Sequence, residues 1–412
     1  MIFSNISVVG LGYIGLPTAA VIASRGINVT GVDINPETVD TVNEGKVHIV
    51  EPDLDIIVKS VVAVGKLTAS RQAKESDAFL VTVPTPLDNK LNADLSFIQS
   101  AVELIAPTLR PGNLVILEST SPVGATEQMA KWLAEARPDL IFPQQDPINP
   151  DVNVAHCPER VLPGHVIREL VENDRVIGGM SPGCSEKAVA LYKTFVKGEC
   201  LITNARTAEM AKLTENSFRD VNIAFANELS LICDKLSINV WELIKLANRH
   251  PRVNILNPGP GVGGHCIAVD PWFIVSSAPE ESKLIKQARL VNDAKPSYVL
   301  NKILAEADEF KRPVVACFGL AFKADIDDLR ESPALDITLS LAKQSNFEVL
   351  VVEPNIDALP LEFEGSNAKL VSLEQAFEQA KVMAVLVDHT EFRAVRTEMW
   401  ANKVVIDSRG IV

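Results

Sequence analysis

The run Gly10-Leu-Gly-Tyr-Ile-Gly15 near the amino terminus constrains the fold of this 412-residue chain more than any other feature. It follows an apolar run at residues 6–9 and precedes a helical pattern over residues 18–25, with a second apolar run at 29–32. Glycines at this spacing allow a tight turn, close approach of the backbone to a pyrophosphate, and close packing of the helix on the strand. The pattern therefore predicts a parallel β-α-β unit whose helix amino terminus can bind a dinucleotide.

Polar residues placed after strand-like runs extend this cofactor site. Asp33 ends the second run, and an acid at this place accepts a hydrogen bond from a ribose 2′-hydroxyl and repels a 2′-phosphate. The site is therefore predicted to take NAD rather than NADP. Thr85 and Thr120 follow two further apolar runs, and the carboxyl ends of parallel strands face the ligand crevice. Both are candidates to contact the cofactor or a water, with capping of a following helix as the alternative.

Three regions with different periodicity follow one another along the chain. Strand and helix patterns alternate over residues 1–203, which predicts a doubly wound parallel sheet with helices on both faces. A stretch without glycine or proline then places apolar residues at helical spacing, and helical patterns continue at residues 240–248 and 281–286, so residues 204–300 are predicted to be a helical middle domain. Strand signals return over residues 301–412. The expected fold class is α/β, with two Rossmann-like units joined by a long-helix middle domain.

Composition excludes several functional classes. The formal charge of −14 disfavours binding to nucleic acid and to anionic membranes. No apolar run approaches the roughly 20 residues that span a bilayer, and the start of the chain lacks a basic signal-peptide region. The six cysteines are scattered without metal-ligand spacing. A cytoplasmic protein without a metal site is expected.

A glycine-rich and proline-rich segment, Asn257-Pro-Gly-Pro-Gly-Val-Gly-Gly-His-Cys266, leads to a single thiol. Such a loop presents a side chain rather than burying it, because glycine lets the backbone approach a ligand closely. A presented thiol combined with a nicotinamide site suggests an oxidation that passes through a thioester. The neighbouring His265 could lower the pKa of the thiol or could point away from it.

Two clusters of basic and amide side chains leave alternatives open. Lys212, Asn216 and Arg219 share one stripe of the predicted long helix, where they could stabilise an oxyanion or could be an ordinary solvated face. Lys323 and Arg330, after a strand of the last region, could bind a diphosphate or could pair with neighbouring aspartates.

Five motifs together resemble the UDP-glucose/GDP-mannose dehydrogenase family over essentially the whole chain. They are the glycine run ending at Gly15, Cys157-Pro-Glu-Arg160, Ala208-Glu-Met-Ala-Lys-Leu-Thr-Glu-Asn216, Gly261-Val-Gly-Gly-His-Cys266 and Gly319-Leu-Ala-Phe-Lys323. The resemblance implies an NAD-binding domain, a helical domain that forms a homodimer, and a domain that binds a UDP-sugar substrate.

The resemblance also implies roles for individual residues. Cys266 would be the nucleophile and Lys212 the acid/base or oxyanion partner, assisted by Asn216, Asp270, Thr120 and Glu159. Contacts to NAD are expected from Gly10, Gly12, Tyr13, Ile14, Gly15, Asp33, Thr85 and Thr126. Contacts to the UDP-sugar are expected from Arg160, Val161, Lys212, Asn216, Arg219, His250, Arg252, Gly263, Phe322 and Lys323, and a loop residue near Arg252 could come from the partner subunit.

The resemblance implies a four-electron oxidation of the sugar C6 hydroxymethyl to a carboxylate with two NAD. Family members that act on UDP-glucose carry Phe-Leu after the Pro-Glu motif, whereas this chain has Arg160-Val161, which fits an N-acetylated sugar. UDP-glucose and UDP-N-acetylglucosamine remain alternatives. Two other functions also remain open: a two-electron dehydrogenase of the hydroxyacid type, and an inactive nucleotide-sugar sensor.

Overall fold

The computed structural model describes residues 3–162, 164–264, 266–344 and 348–412. The chain divides into two compact units, one formed by residues 1–215 with 272–277 and the other by residues 216–271 with 278–412. Within the described ranges, no helix is both long enough and apolar enough to cross a membrane.

Strands form one sheet in each unit. Among the described residues, the first sheet has eight strands in the order β3-β2-β1-β4-β5-β6-β7-β8, and the second has five in the order β11-β10-β9-β12-β13. The pairings between these strands are parallel except that of β6 with β7, which is antiparallel. The strands are β1 (Asn5–Val9), β2 (Asn28–Val32), β3 (Leu67–Ser70), β4 (Ala78–Val81), β5 (Leu114–Leu117), β6 (Asn153–His156), β7 (Arg175–Gly179), β8 (Cys200–Asn204), β9 (Val314–Phe318), β10 (Glu348–Val352), β11 (Ala368–Leu370), β12 (Val382–Val385) and β13 (Val404–Asp407).

Helices follow most strands, as the doubly wound pattern requires. They are α1 (Gly15–Ser24), α2 (Pro36–Asn43), α3 (Leu54–Ala63), α4 (Ser96–Ile105), α5 (Ala125–Ala136), α6 (Val166–Glu172), α7 (Pro182–Tyr192), α8 (Ala205–Leu236), α9 (Val240–Ala247), α10 (Asp270–Ser277), α11 (Lys283–Ala307), α12 (Pro333–Ala342), α13 (Leu373–Gln379) and α14 (Thr390–Arg393), with short 3₁₀ helices at Ala106–Thr108, Leu361–Phe363 and Thr397–Met399.

The central strands of both sheets are buried on both faces. In β1, Ile6 and Val8 belong to one hydrophobic cluster and Val9 to another. In β9, Val315 and Phe318 likewise face different clusters. Strands covered on both faces read as continuous apolar runs rather than alternating ones, which is why the sequence revealed them. The fold class predicted from the sequence is confirmed.

Two details differ from the sequence-based expectation. The sheet of the first unit is not wholly parallel, because β7 turns back against β6. The helical signal at residues 281–286 is the start of α11, which continues to Ala307 through an internal proline, Pro296. Proline normally ends a helix because it lacks the N–H donor, so the sequence pattern alone understated this helix.

Candidate functional site

The three glycines of the turn from β1 into α1 have different steric surroundings. Gly10 has a φ of +94°, and a Cβ there would lie 2.9 Å from the carbonyl oxygen of Thr82. A Cβ on Gly15 would lie 1.7 Å from the carbonyl oxygen of Gly10, so any side chain would force α1 away from the turn. Gly12 has no atom within 4 Å of that position. The backbone at Gly12 is therefore open to a ligand.

Asp33 lies at the carboxyl end of β2, where the motif requires an acid. Its carboxylate accepts hydrogen bonds from the N–H of Leu11 at 2.9 Å and from the N–H of Asn35 at 2.9 Å. The acid thus ties the glycine turn to the next strand. An open glycine, a helix amino terminus and a carboxylate at this place fit the pyrophosphate and the adenosine ribose of NAD.

The threonines expected near the cofactor occupy different surroundings. The Thr85 hydroxyl is buried and has no hydrogen-bond partner in the part of the chain that is described. Thr85 does not cap α4, since that helix has no side-chain cap, and α5 is preceded by Gly124 rather than Thr120. Thr126 is fully buried, and its hydroxyl donates to Glu209 at 2.6 Å. Tyr13 is partly exposed beside the glycine turn.

A cluster of buried titratable side chains lies where β5, β6 and β7 meet. Glu118 follows β5 and accepts a hydrogen bond from the hydroxyl of Tyr192. Burial raises the pKa of Glu118 to about 7, which the charge of Arg175 opposes. Nη1 of Arg175 lies 4.0 Å from Oε1 of Glu159. Sequence analysis placed Glu159 among the catalytic candidates but missed Arg175 and Tyr192, because both lie far from Glu159 in the chain.

Helix α8, which carries Lys212, lies against the segment after β6, which carries Arg160. Burial raises the pKa of Glu159, while the backbone N–H groups of Val161 and Arg160 and the charge of Lys212 oppose the rise. Arg160 forms a two-pronged ion pair with Glu215, with distances of 3.2 Å from Nε and 2.6 Å from Nη2. Val161 is partly buried and packs against a hydrophobic cluster of the first unit. These residues of the first unit form a polar surface that combines a lysine with a buried carboxyl group.

Cys266 differs from the other cysteines of the chain in its exposure. It is the exposed one among the six, whereas burial raises the pKa of Cys157 to about 12 and that of Cys317 to about 12. A thiol becomes a nucleophile as its thiolate, so the buried cysteines are poor candidates. Cys266 stands one turn before α10, and its carbonyl accepts the N–H of Asp270 at 2.9 Å.

Asp270 and Asn216 form the polar pair next to this thiol segment. Asp270 is the first residue of α10 and is only 3% exposed. Nδ2 of Asn216 donates to Oδ2 of Asp270 at 2.5 Å. Asn216 lies four positions after Lys212 on the same helix, so both side chains emerge from one face of α8. His265 lies outside the described residues.

The loop after β9 packs directly against the glycines that precede Cys266. A Cβ on Gly263 would lie 2.5 Å from the carbonyl oxygen of Glu331 and 3.0 Å from Cβ of Phe322, and one on Gly264 would lie 3.2 Å from the Phe322 ring. Glu353 holds the start of this loop, because its carboxylate accepts the N–H of Leu320 at 2.7 Å. The structure therefore brings together Gly263 and Phe322, which the sequence separates by more than fifty residues.

The basic residues expected to bind a diphosphate have different environments. Lys323 is exposed next to Phe322. Arg330 pairs with Asp328 at 2.6 Å, as the alternative interpretation expected. The structure adds Arg409, which follows β13 and pairs with Asp388 at 2.6 Å. Its guanidinium would lie 2.8 Å from a Cβ on Gly259, so Arg409 also reaches the glycine-rich segment.

Three further substrate-site candidates lie on the surface of the second unit. Arg219, His250 and Arg252 are all exposed, and Nδ1 of His250 accepts the N–H of Arg252 at 3.3 Å. No group of three or more histidine, cysteine or acidic side chains able to hold a metal occurs among the residues described.

Profiles of known families match nearly the whole chain in three consecutive parts. Residues 4–196 match the NAD binding domain of the UDP-glucose/GDP-mannose dehydrogenase family, residues 206–294 its central domain, and residues 316–412 its UDP binding domain.

Characterised proteins and solved structures are similar over the same extent. The chain is 62% identical to an NDP-N-acetyl-D-galactosaminuronic acid dehydrogenase of Ralstonia nicotianae, covering 99% of this chain and 96% of the relative. It is 64% identical to a UDP-N-acetyl-D-mannosamine dehydrogenase of Campylobacter jejuni, covering 96% and 98%. The structure of a UDP-D-ManNAc dehydrogenase from Pyrococcus horikoshii superposes with a TM-score of 0.87 at 40% identity, covering 99% of this chain and 96% of that one.

Proposed function

Because this chain belongs to the UDP-glucose/GDP-mannose dehydrogenase family, whose members use NAD, we propose that it oxidises UDP-N-acetyl-D-mannosamine to UDP-N-acetyl-D-mannosaminuronate. The reaction takes the sugar C6 from alcohol to carboxylate and consumes two NAD and one water. The observation that carries the proposal is the exposed Cys266, presented by a glycine-rich segment beside the buried Asp270. An oxidation that stops at the aldehyde needs no such thiol.

The first oxidation removes a hydride from C6 and a proton from its hydroxyl group. The glycine turn and Asp33 would hold NAD, which would supply the hydride acceptor. Lys212 is the group proposed to stabilise the developing alkoxide, because an ammonium group lowers the energy of an oxyanion in a site that excludes water. Asn216 supports the same charge through its second Nδ2 hydrogen, since the first is donated to Asp270.

The second oxidation proceeds on a covalent intermediate. The Cys266 thiolate adds to the aldehyde carbon and forms a thiohemiacetal, which gives up a hydride far more readily than the aldehyde itself. Loss of that hydride leaves a thioester. Attack by water then releases the carboxylate and restores the thiol, and Thr120, Glu159 and Asp270 are the groups proposed to position that water. Burial raises the pKa of Glu159 and so suits this carboxyl group to proton transfer.

The identity of the sugar is proposed from relatives and from the substrate-site residues. Relatives named as UDP-N-acetyl-D-mannosamine dehydrogenases from Yersinia pestis and Escherichia coli K12 match the full length of this chain at 60% and 58% identity. Arg160 and Val161 replace the Phe-Leu pair of enzymes that act on UDP-glucose. The Ralstonia relative, named for an NDP-N-acetyl-D-galactosaminuronic acid, favours a nucleotide-linked N-acetylgalactosamine as the second candidate, ahead of UDP-N-acetylglucosamine and UDP-glucose.

We further propose three domains, at residues 1–203, 204–300 and 301–412, with the middle one forming a homodimer in the cytoplasm. Apolar side chains on α8 support the dimer, because Phe218 and Phe225 are 67% and 55% exposed and lie two turns apart on one helix. Exposed large apolar residues in such an arrangement are typical of protein interfaces. In the dimer, His250 or Arg252 is proposed to reach the substrate of the partner subunit.

A panel of UDP-sugars with a count of NADH per sugar consumed tests the proposal. We expect UDP-N-acetylmannosamine to give the highest kcat/KM, with two NADH and one uronate per sugar. One NADH per sugar would favour the two-electron dehydrogenase. Absence of NADH formation with every UDP-sugar, in a protein that still binds them, would favour the sensor.

A further inference from the structure

A chain of buried polar side chains links α8, α11 and the glycine-rich segment before Cys266. Asp220 and Asn227 lie on α8, and Arg289 and Asn292 lie on α11. All four are at most 2% exposed. Buried polar groups of this kind cost free energy unless each is hydrogen-bonded. None of these four side chains has a role in the reaction proposed above.

We call this chain of four side chains the relay. The Asp220 carboxylate, at one end of it, sets the direction of the hydrogen bonds. The Asp220 carboxylate accepts from Arg289 at 2.6 Å and from Nδ2 of Asn292 at 2.8 Å. Oδ1 of Asn292 is thereby turned toward Asn227, whose Nδ2 donates to it at 2.8 Å. Oδ1 of Asn227 is left to accept the N–H of Gly259 at 2.9 Å. Because an ionised carboxylate can only accept, it orients both amides in turn.

Gly259 is a distinctive point of attachment. It stands between Pro258 and Pro260, and since proline has no N–H, Gly259 supplies the one backbone donor of these three residues. The guanidinium of Arg409 packs against the same glycine. Two residues later, a Cβ on Gly261 would lie 2.9 Å from the ring of Pro296 on α11. The segment 258–261, which leads to Cys266, is thus anchored by one directed hydrogen bond and by close packing.

We infer that Asn227 and Asn292 are positioning residues for Cys266, and that they act through Gly259 without touching the substrate. The relay holds the Pro258-Gly-Pro260 segment in one place, so the glycines that follow begin from a fixed point. Reactive groups must be held in place closely, because a displacement of about 1 Å can cost about 100-fold in rate. The catalytic consequence rests on the function proposed above, whereas the positioning of the thiol does not.

The test compares Asn227→Leu with Asn222→Ala. Asn222 is a matched control, because it lies on the same helix and its amide donates to the carbonyl of Phe218 instead of the relay. Four quantities are measured: kcat with UDP-N-acetylmannosamine, the KM for NAD, the rate of Cys266 alkylation by iodoacetamide without substrate, and the melting temperature.

For Asn227→Leu we expect kcat to fall about 10- to 100-fold, with KM for NAD within about threefold of wild type. The alkylation rate should differ from wild type by at least about fivefold, because the surroundings of a thiol set its reactivity. Asn222→Ala should match wild type in both. Alkylation and kcat within about twofold of wild type in Asn227→Leu would overturn the inference. Should Asn227→Leu fail to fold, Asn292→Ser, which removes the middle partner, carries the same test.

A double variant separates a relay from two independent contacts. If both asparagines act through one hydrogen-bonded path, Asn227→Leu/Asn292→Ser should lose no more activity than the worse single variant, whereas full multiplication of the two losses would overturn the relay. Alkylation of Cys266 does not depend on turnover. The relay can therefore stand even if Cys266→Ala retains acid formation and the proposed function fails.

Discussion

Glu118 is expected to make the stability of this protein depend on pH in a way that one substitution removes. The side chain is 2% exposed, and burial raises its pKa to about 7 from an ordinary value of 4.5. Below pH 4.5 the carboxyl group is protonated in both the folded and the unfolded chain and contributes nothing. Between these values the unfolded chain loses the proton while the folded chain keeps it. Stability therefore falls as pH rises and levels off above about pH 7.

The size of the effect follows from the shift, since each pKa unit corresponds to about 1.4 kcal/mol. Between pH 5 and pH 8 the predicted loss attributable to Glu118 is about 2.5 kcal/mol. Glu118→Gln keeps an oxygen that accepts the Tyr192 hydroxyl and cannot ionise. Relative to wild type, this variant should therefore gain about 2.5 kcal/mol of unfolding free energy on going from pH 5 to pH 8.

Urea unfolding of both proteins at several pH values measures this difference, and groups common to both cancel. Tyr192→Phe is the complementary variant, because it removes the hydroxyl that lowers the pKa of Glu118 and retains the ring under Arg175. Its stability should fall more steeply with pH than that of wild type. Parallel pH curves for Glu118→Gln and wild type would refute the argument that the buried carboxyl group is protonated near neutrality.

Three further perturbations test other parts of the structure. Gly263→Ala places a Cβ 2.5 Å from a backbone oxygen, so its kcat should fall at least about tenfold. Gly183→Ala is the control: the nearest atom to its Cβ would be 4.0 Å away, so its kcat should equal that of wild type. Asp33→Ala should raise the KM for NAD about tenfold and weaken the preference over NADP; an unchanged preference would contradict the assigned role. Arg289→Met leaves the Asp220 carboxylate buried and without its ion-pair partner, and urea unfolding should show a loss of about 3–5 kcal/mol, with a loss under about 1 kcal/mol counting against that pairing.

Sequence patterns predicted most of the strands that are buried on both faces and missed three of the four edge strands among the described residues. The apolar strands β1, β4, β5 and β9 appear as short continuous runs because helices cover both sides of the sheets. The strands β3, β8 and β11 escaped prediction. They lie at sheet edges and their side chains are largely half-buried or exposed, so they lack the apolar run. The strand β6 also escaped prediction although it is largely buried, because its Asn-Val-Ala-His sequence contains no continuous apolar run.

In the candidate site, the local motifs could be predicted from the sequence, whereas the long-range contacts could not. The glycine turn and Asp33 can be recognised in the sequence because they lie close together in the chain and because each position requires one residue type for a physical reason. The contact of Phe322 with Gly263, the attachment of Asn227 to Gly259 and the approach of Arg409 depend on pairs more than thirty residues apart. Periodicity carries no information about such pairs. The packing of Pro296 on α11 against Gly261 is a further pair of this kind.

The central claim is that Cys266 permits the second oxidation, and product analysis of Cys266→Ala with UDP-N-acetylmannosamine tests it most directly. The wild-type protein should form the uronate with two NADH per sugar. The alanine variant should form no uronate in the steady state and should yield at most one NADH per sugar, with the C6 aldehyde as the product. Formation of uronate with two NADH per sugar by the alanine variant would contradict the account.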